Sequence, residues 1–142
     1  MTATGIAQDK IDAYEATHYR VAWAGRPFVM RIAVCSPELA DAYRQTGTAC
    51  ALFITAYNPF GRARPDRENQ AGHERLRADL SALSAHVAEG EGADPSGEWP
   101  PEKSFLALGV DRQAAQALGS RYDQDAVVWA GADAVPLLLL LR

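Results

Sequence analysis

Cysteine is scarce in this chain: Cys35 and Cys50 are the only two. No CxxC pair and no His/Cys pair at finger spacing accompanies them, so a zinc site lacks ligands. Each cysteine lies in an apolar run that reads as strand, where the residue behaves as a small hydrophobe. Long hydrophobic runs are lacking too. The five leucines Leu137 to Leu141 are far fewer than the roughly 20 apolar residues that span a bilayer. Met1 to Lys10 has no basic-then-apolar signal pattern, which makes a reducing cytoplasm the expected location. There is no glycine-rich phosphate loop, no GxSxG elbow around Ser104, no internal repeat and no low-complexity tract. An excess of positive charge is also missing: the net charge is −4, which argues against wholesale binding to nucleic acid or to an anionic membrane.

What is present reads as globular. With 142 residues, 48% hydrophobic and 23% charged, the chain is long enough to bury a core without staples. One domain is expected over 8–142, with residues 1–7 loose.

The chain is organised around Cys50 to Pro59. Its apolar residues run without polar alternation, as in a central strand covered on both faces, and Asn58-Pro59 ends the ladder because proline has no N–H to donate. Before it, Gln8 to Glu15 suits a short helix. Thr17–Trp23 and Phe28–Cys35 alternate with period two around the turn 24–27, as in an antiparallel hairpin. Ser36-Pro37-Glu38 opens a helix that Gly47 can close. A strand, helix, strand order then predicts a right-handed crossover, with Phe28–Cys35 parallel to Ala51–Tyr57.

After Pro59 comes a basic island, Arg62, Arg64, Arg67, Arg75 and Arg77, interspersed with Asp66, Glu68 and Glu74. From an Asp66 cap, a helix to about Val87 carries the stripe Leu76, Leu80, Leu83 and Val87. Continued backwards, that stripe reaches His73 and Asn69. Residues 88–103 read as a long acidic irregular loop, lid-like, with Trp99 packed down. Ser104–Val110 is a further strand, Asp111 caps a helix through Leu118, and 126–141 reads as a terminal hairpin. The expected fold is α+β, a single two-layer domain with a mixed sheet of about six strands and two or three helices packed on it.

Four phrases carry a resemblance: Phe53-Ile54-Thr55-Ala56-Tyr57-Asn58-Pro59, Glu68-Asn69, Trp99 with Glu102 and Ser104-Phe105-Leu106, and Gln124-Asp125-Ala126-Val127-Val128-Trp129. In order and spacing, from about Tyr14 to Trp129, the chain resembles the uncharacterised bacterial proteins grouped as domain of unknown function 3293. Lys103 departs from that pattern, which has a second acidic residue beside Glu102. The resemblance implies no activity.

Polar residues end all four phrases, and they meet at one edge only if Ser104–Val110 runs antiparallel to the central strand. Otherwise they cap loops, as Asn and Gln do. A first functional expectation is a binding domain for a small anionic ligand, phosphate- or carboxylate-bearing, held at the loop after the central strand by Asn58, Arg62, Arg64, Asn69 and Gln124, with Trp99 on a lid. Asn58→Asp should then weaken the anion while changing stability by less than about 1 kcal/mol. A second is a protein-interaction domain using the basic island and the acidic loop. A third is a hydrolase or transferase with His73 as base, Glu102 as second titrating group and Ser104 as nucleophile. No metal and no cofactor is expected.

Overall fold

The computed structural model describes residues 4–142. Four helices and seven strands follow one another as α1 (Gln8–Ala16), β1 (His18–Val21), β2 (Phe28–Met30), α2 (Pro37–Thr46), β3 (Ala51–Ile54), α3 (Asp66–Leu83), β4 (Val87–Ala93), β5 (Glu102–Leu108), α4 (Arg112–Arg121), β6 (Ala126–Ala130) and β7 (Pro136–Leu140). The strands form one sheet in the order β2-β1-β4-β5-β3-β6-β7. Every pairing is antiparallel.

The mixed sheet is therefore corrected to an antiparallel one, and about six strands to seven. The predicted crossover fails because β2 is an edge strand, separated from β3 by β1, β4 and β5. β2 also ends at Met30, short of Cys35: the chain turns through Ala33, whose φ is +66°, and Ala33 N and Ser36 N donate to Pro136 O and Ala134 O at 2.8 and 2.9 Å. These bonds tie the exit of one edge strand to the start of the other. The sheet thus curls on itself and covers part of two otherwise open edges.

Successive side chains on β3 serve two cores, as period two requires. Ala51 and Phe53 face inward, packing with Leu106, Val128, Met30 and the α2 residues Leu39, Ala42 and Tyr43. Leu52 and Ile54 face outward and pack with Phe105, Val127, Leu76 and Leu80 of α3, and Ala115 and Leu118 of α4. Helices lie on both faces, so the expected two layers are replaced by a curled sheet sandwiched between helices.

Local signals hold for α2 and α4. Ser36 Oγ accepts from Leu39 N, Asp111 accepts from Ala114 N, and Gly47 closes α2 at φ +68°. For α3 the cap position is Pro65 and Asp66 is the first helical residue, so no side chain caps it. That helix stops at Leu83, which is 51% exposed; Val87 already pairs with Ala107 in β4.

Of the expected irregular segment 88–103, residues 94–101 form the connection between strands, 102–103 belong to β5 and 88–93 to β4. Gly90 lowers strand propensity yet is needed there, because a Cβ at Gly90 would lie 2.5 Å from Arg20 O and 2.9 Å from Phe53 Cε2. Glu89 and Glu91 point to the other face, to Arg77 at 2.8 Å and Arg20 at 3.1 Å. Residues 1–3 of the expected loose N-terminus lie outside the described residues; beyond them, Ile6 is buried and the Thr4 hydroxyl donates to Arg142 O.

Candidate functional site

One end of the curled sheet is hollow. Inward positions at the α2 end carry Met30, Leu106, Val128 and Ala130 and are filled by the helix. At the other end the inward positions of β4, β5 and β6 are Gly92, Ser104 and Ala126, all small. They surround a cavity of about 420 Å³, closed over by α1 through Lys10, Ala13 and Tyr14, and by Trp99 and Pro100 from the β4–β5 connection. This is within the usual size of a small-molecule site. Its walls are mainly aromatic and aliphatic, with Tyr14, Tyr57, Phe53 and Trp99 among them.

Convergence of the polar phrases required β5 to run antiparallel to β3, and it does. Asn58, just past β3, Glu102 and Ser104 at the start of β5, and Gln124 before β6 all line this cavity together with Trp99. Arg62, Arg64, Asn69 and His73 do not.

Asn58 is held in the left-handed region, φ +47°, a conformation Asn tolerates. Its N–H donates to Asn69 Oδ1 at 2.9 Å, and its Oδ1 accepts from Asn69 Nδ2 at 2.9 Å and Arg64 N at 3.1 Å. With Oδ1 facing two donors, Nδ2 must point away, and it donates to Glu102 Oε2 at 2.9 Å. Asn69, only 4% exposed, thus clamps the Asn58 turn from α3. The Asn58 donors are engaged within the protein, so Asn58 has none left for a ligand beside Arg62 and Arg64. Arg64 pairs with Glu68 at 3.6 Å, and Asp66 and Glu68 already supply negative charge to the first turn of α3.

Burial raises the pKa of Glu102 above the usual glutamate range, an effect partly offset by the Asn58 hydrogen bond and by Lys10. Burial, followed by the charges of Asp125 and Glu102, pushes the Tyr14 phenol up to about 12. Lys10 donates to Asp125 and to Phe60 O, the latter at 3.3 Å. Asp125 is 2% exposed and also accepts from Arg142 Nε at 2.5 Å. Burial opposes its ionisation, but the hydrogen bonds from Lys10 and Arg142 prevail and hold its pKa below the usual aspartate range. This carboxylate fastens α1 to the sheet.

His73 is on the opposite face. It stacks on Phe105 with ring centroids 4.2 Å apart, meets Tyr57 edge-on at 5.9 Å, and leaves Nδ1 buried without a partner. Burial, aided by Arg77, lowers its pKa. Phe105 belongs to the outer core, whereas Ser104 lines the inner cavity, so the structure does not bring His73 together with Glu102 and Ser104. The Ser104 hydroxyl donates to Glu102 O at 3.0 Å, its one hydrogen bond among the described residues. Among the described residues no three His, Cys, Asp or Glu side chains gather as metal ligands. Cys50 has its thiol pKa raised by burial, and Cys35 is exposed.

Lys10, Tyr14, Tyr57, Gly92 and Asp125 line or brace the site without standing out as candidates in the sequence. Tyr57 and Asp125 do fall within the quoted phrases. Lys10 and Tyr14 carry no local signal, since α1 is a weakly amphipathic helix with no buried residue.

Fold and site together define an α+β protein with an antiparallel, curled sheet and a closed-over cavity at one end. A family model described as "Protein of unknown function (DUF3293)" matches residues 54–127, just over half of the 142, and the chain belongs to that family. The matched stretch runs from the end of β3 into β6 and includes Asn58, Asn69, Trp99, Glu102, Ser104 and Gln124. No curated protein and no solved structure matches. Among the described residues, no helix is long and apolar enough to cross a membrane.

Proposed function

We propose that this protein binds a small organic molecule in the cavity beneath α1, with Asn58 positioning Glu102 and with Trp99 and Tyr57 as walls. The observation that carries this reading is the hollow itself. A volume of about 420 Å³ is kept open by Gly92, Ser104 and Ala126, although larger inward side chains would complete the core. A mainly apolar hollow with a few placed polar groups is how small-molecule sites are built.

The reading keeps the expected ligand-binding role and moves it from the arginine island to the cavity. Gly92→Leu tests it, because a Cβ at Gly92 meets nothing closer than Thr17 Cγ2 at 3.6 Å and the larger side chain fills the hollow. In a thermal-shift screen of nucleotides, sugar phosphates, carboxylates and amines, a true ligand raises the melting temperature of the wild type and leaves Gly92→Leu unmoved. If every hit acts equally on the folded variant, the ligand sits elsewhere and the cavity reading fails. Silence from the whole panel favours a protein-interaction role instead.

A further inference from the structure

Among the polar atoms that the cavity still offers, the ones beside Asn58 are acceptors, while the Tyr14 hydroxyl and the Trp99 indole N–H are donors with no partner among the described residues. Asn58 Nδ2 claims Glu102 Oε2 at 2.9 Å, and Glu102 Oε1 has no partner among the described residues. Gln124 Nε2 donates to Tyr57 O at 3.2 Å and Tyr122 O at 3.3 Å, which fixes the amide so that Oε1 is the atom left over. Lys10 is the sole lysine or arginine in the lining, and it is engaged by Asp125 and Phe60 O. An anion placed beside Asn58 would meet the free oxygen of the Glu102 carboxylate, and the one lysine of the lining is already paired with Asp125. A cation would meet a carboxylate that burial disfavours in its charged form unless it is paired.

We infer that the ligand is an aromatic compound carrying an amino or amidine group, the ring lying against Trp99 and Tyr57 and the donor group hydrogen-bonded to Glu102 Oε1 and Gln124 Oε1. This rests on the cavity reading and names its ligand class. Aromatic walls suit a flat ring and also favour a cation near their faces. A charged N–H donor on a carboxylate oxygen makes a hydrogen bond about twice as strong as a neutral pair.

Matched probes separate charge from shape: benzamidine against benzoate, and tryptamine against indole-3-acetate, titrated into the full chain by calorimetry and by thermal shift. Both cationic members should bind and raise the melting temperature, and the anionic ones should not. Glu102→Gln keeps an oxygen for Asn58 Nδ2 but turns an NH₂ towards the ligand, so it should weaken the cationic probes at least about tenfold, about 1.4 kcal/mol. Trp99→Ala, in the connection between β4 and β5, should weaken them about fivefold or more, as loss of a stacking wall does. It provides the second measurement if Glu102→Gln fails to fold. Unchanged affinity in the folded variants overturns the inference, as does failure of both cationic probes to bind. Binding of the anionic members that Gly92→Leu abolishes would overturn the ligand class and leave the cavity reading standing. Binding of any probe that survives Gly92→Leu would bring down both.

Discussion

Asn58→Asp alters one contact and preserves the rest. Oδ1 keeps its two donors, Arg64 N and Asn69 Nδ2, and Asp tolerates the left-handed backbone as Asn does. Only Nδ2, 2.9 Å from Glu102 Oε2, becomes an oxygen. Two ionised carboxylates at about 3 Å repel by about 5 kcal/mol at an effective dielectric near 20. The pair escapes by retaining one proton. Keeping a carboxyl of pKa near 4 protonated at pH 7 costs about 4 kcal/mol, and the resulting O–H···O bond offsets part of that. The expected loss of stability at pH 7 is therefore about 3 kcal/mol, well above the limit of about 1 kcal/mol that turn chemistry alone suggests.

The sign follows from linkage. The pair's folded pKa is raised above its unfolded value, so the penalty is absent below about pH 4 and grows as pH rises. Urea unfolding of wild type and variant at pH 7.5 and pH 5 would show the difference falling from about 4 to below about 1 kcal/mol. A difference below about 1 kcal/mol at both values, or one that does not change with pH, would refute the Asn58–Glu102 contact and the orientation of the Asn58 amide.

Other outcomes follow from single contacts. Gly90→Ala should destabilise by about 2 kcal/mol or more, since its Cβ would meet the Arg20 carbonyl at 2.5 Å and overpacking against backbone finds little relief. Two residues on, Gly92→Ala should be neutral or stabilising by about 0.5 kcal/mol, because the space is open and a flexible residue is removed; denaturant midpoints of the two variants decide the contrast. His73→Phe keeps the stack on Phe105 and removes the unpartnered Nδ1, so it should stabilise by about 1 kcal/mol at neutral pH. The wild type should lose stability as pH falls through about 6.5 towards the depressed folded pKa of His73, and the variant's unfolding curves should not show that loss. Asp125→Asn should cost about 1–2 kcal/mol, discounted because Lys10 and Arg142 are 32% and 48% exposed, and should speed hydrogen exchange across α1. Its depressed pKa makes this contribution present above about pH 4 and lost below it, so wild type and variant should converge in acid.

What the sequence made legible was local. β3, the Ser36 and Asp111 caps and the inward stripe Asn69-His73-Leu76-Leu80 rest on short-range periodicity and capping, and all recur in the structure. β4 was illegible because its evidence is tertiary. Glycine and glutamate argue against strand, yet Gly90 is required by a carbonyl on β1 and Glu89 pairs with an arginine on α3. The same gap hid the sheet order, since β4 is the strand that joins β1 to β5. The gathering of Asn58, Trp99, Glu102 and Gln124 depended on one binary fact, the direction of β5, that the phrases themselves could not supply. His73 misled for a related reason: it shares a helix face with Asn69, but the sheet lies between it and Glu102.

The two ends of the curled sheet are closed in different ways. Tyr43 of α2 packs in the inner core and donates through its hydroxyl to Ala130 O and Gly131 O at 3.2 and 3.0 Å, so one end is closed by large buried side chains. The other is closed by α1, which buries no residue and is fastened by the Lys10–Asp125 pair and by the Tyr19 hydroxyl donating to Tyr14 O at 2.6 Å. Hydrophobic burial scales with area, so removing α1 forfeits far less of it than removing α2. Elements with few buried apolar contacts open at lower free energy than the rest of a domain. α1 is therefore the element expected to open at the lowest free energy while both cores stay packed, and loss of the polar fastening at Asp125 should lower that free energy further.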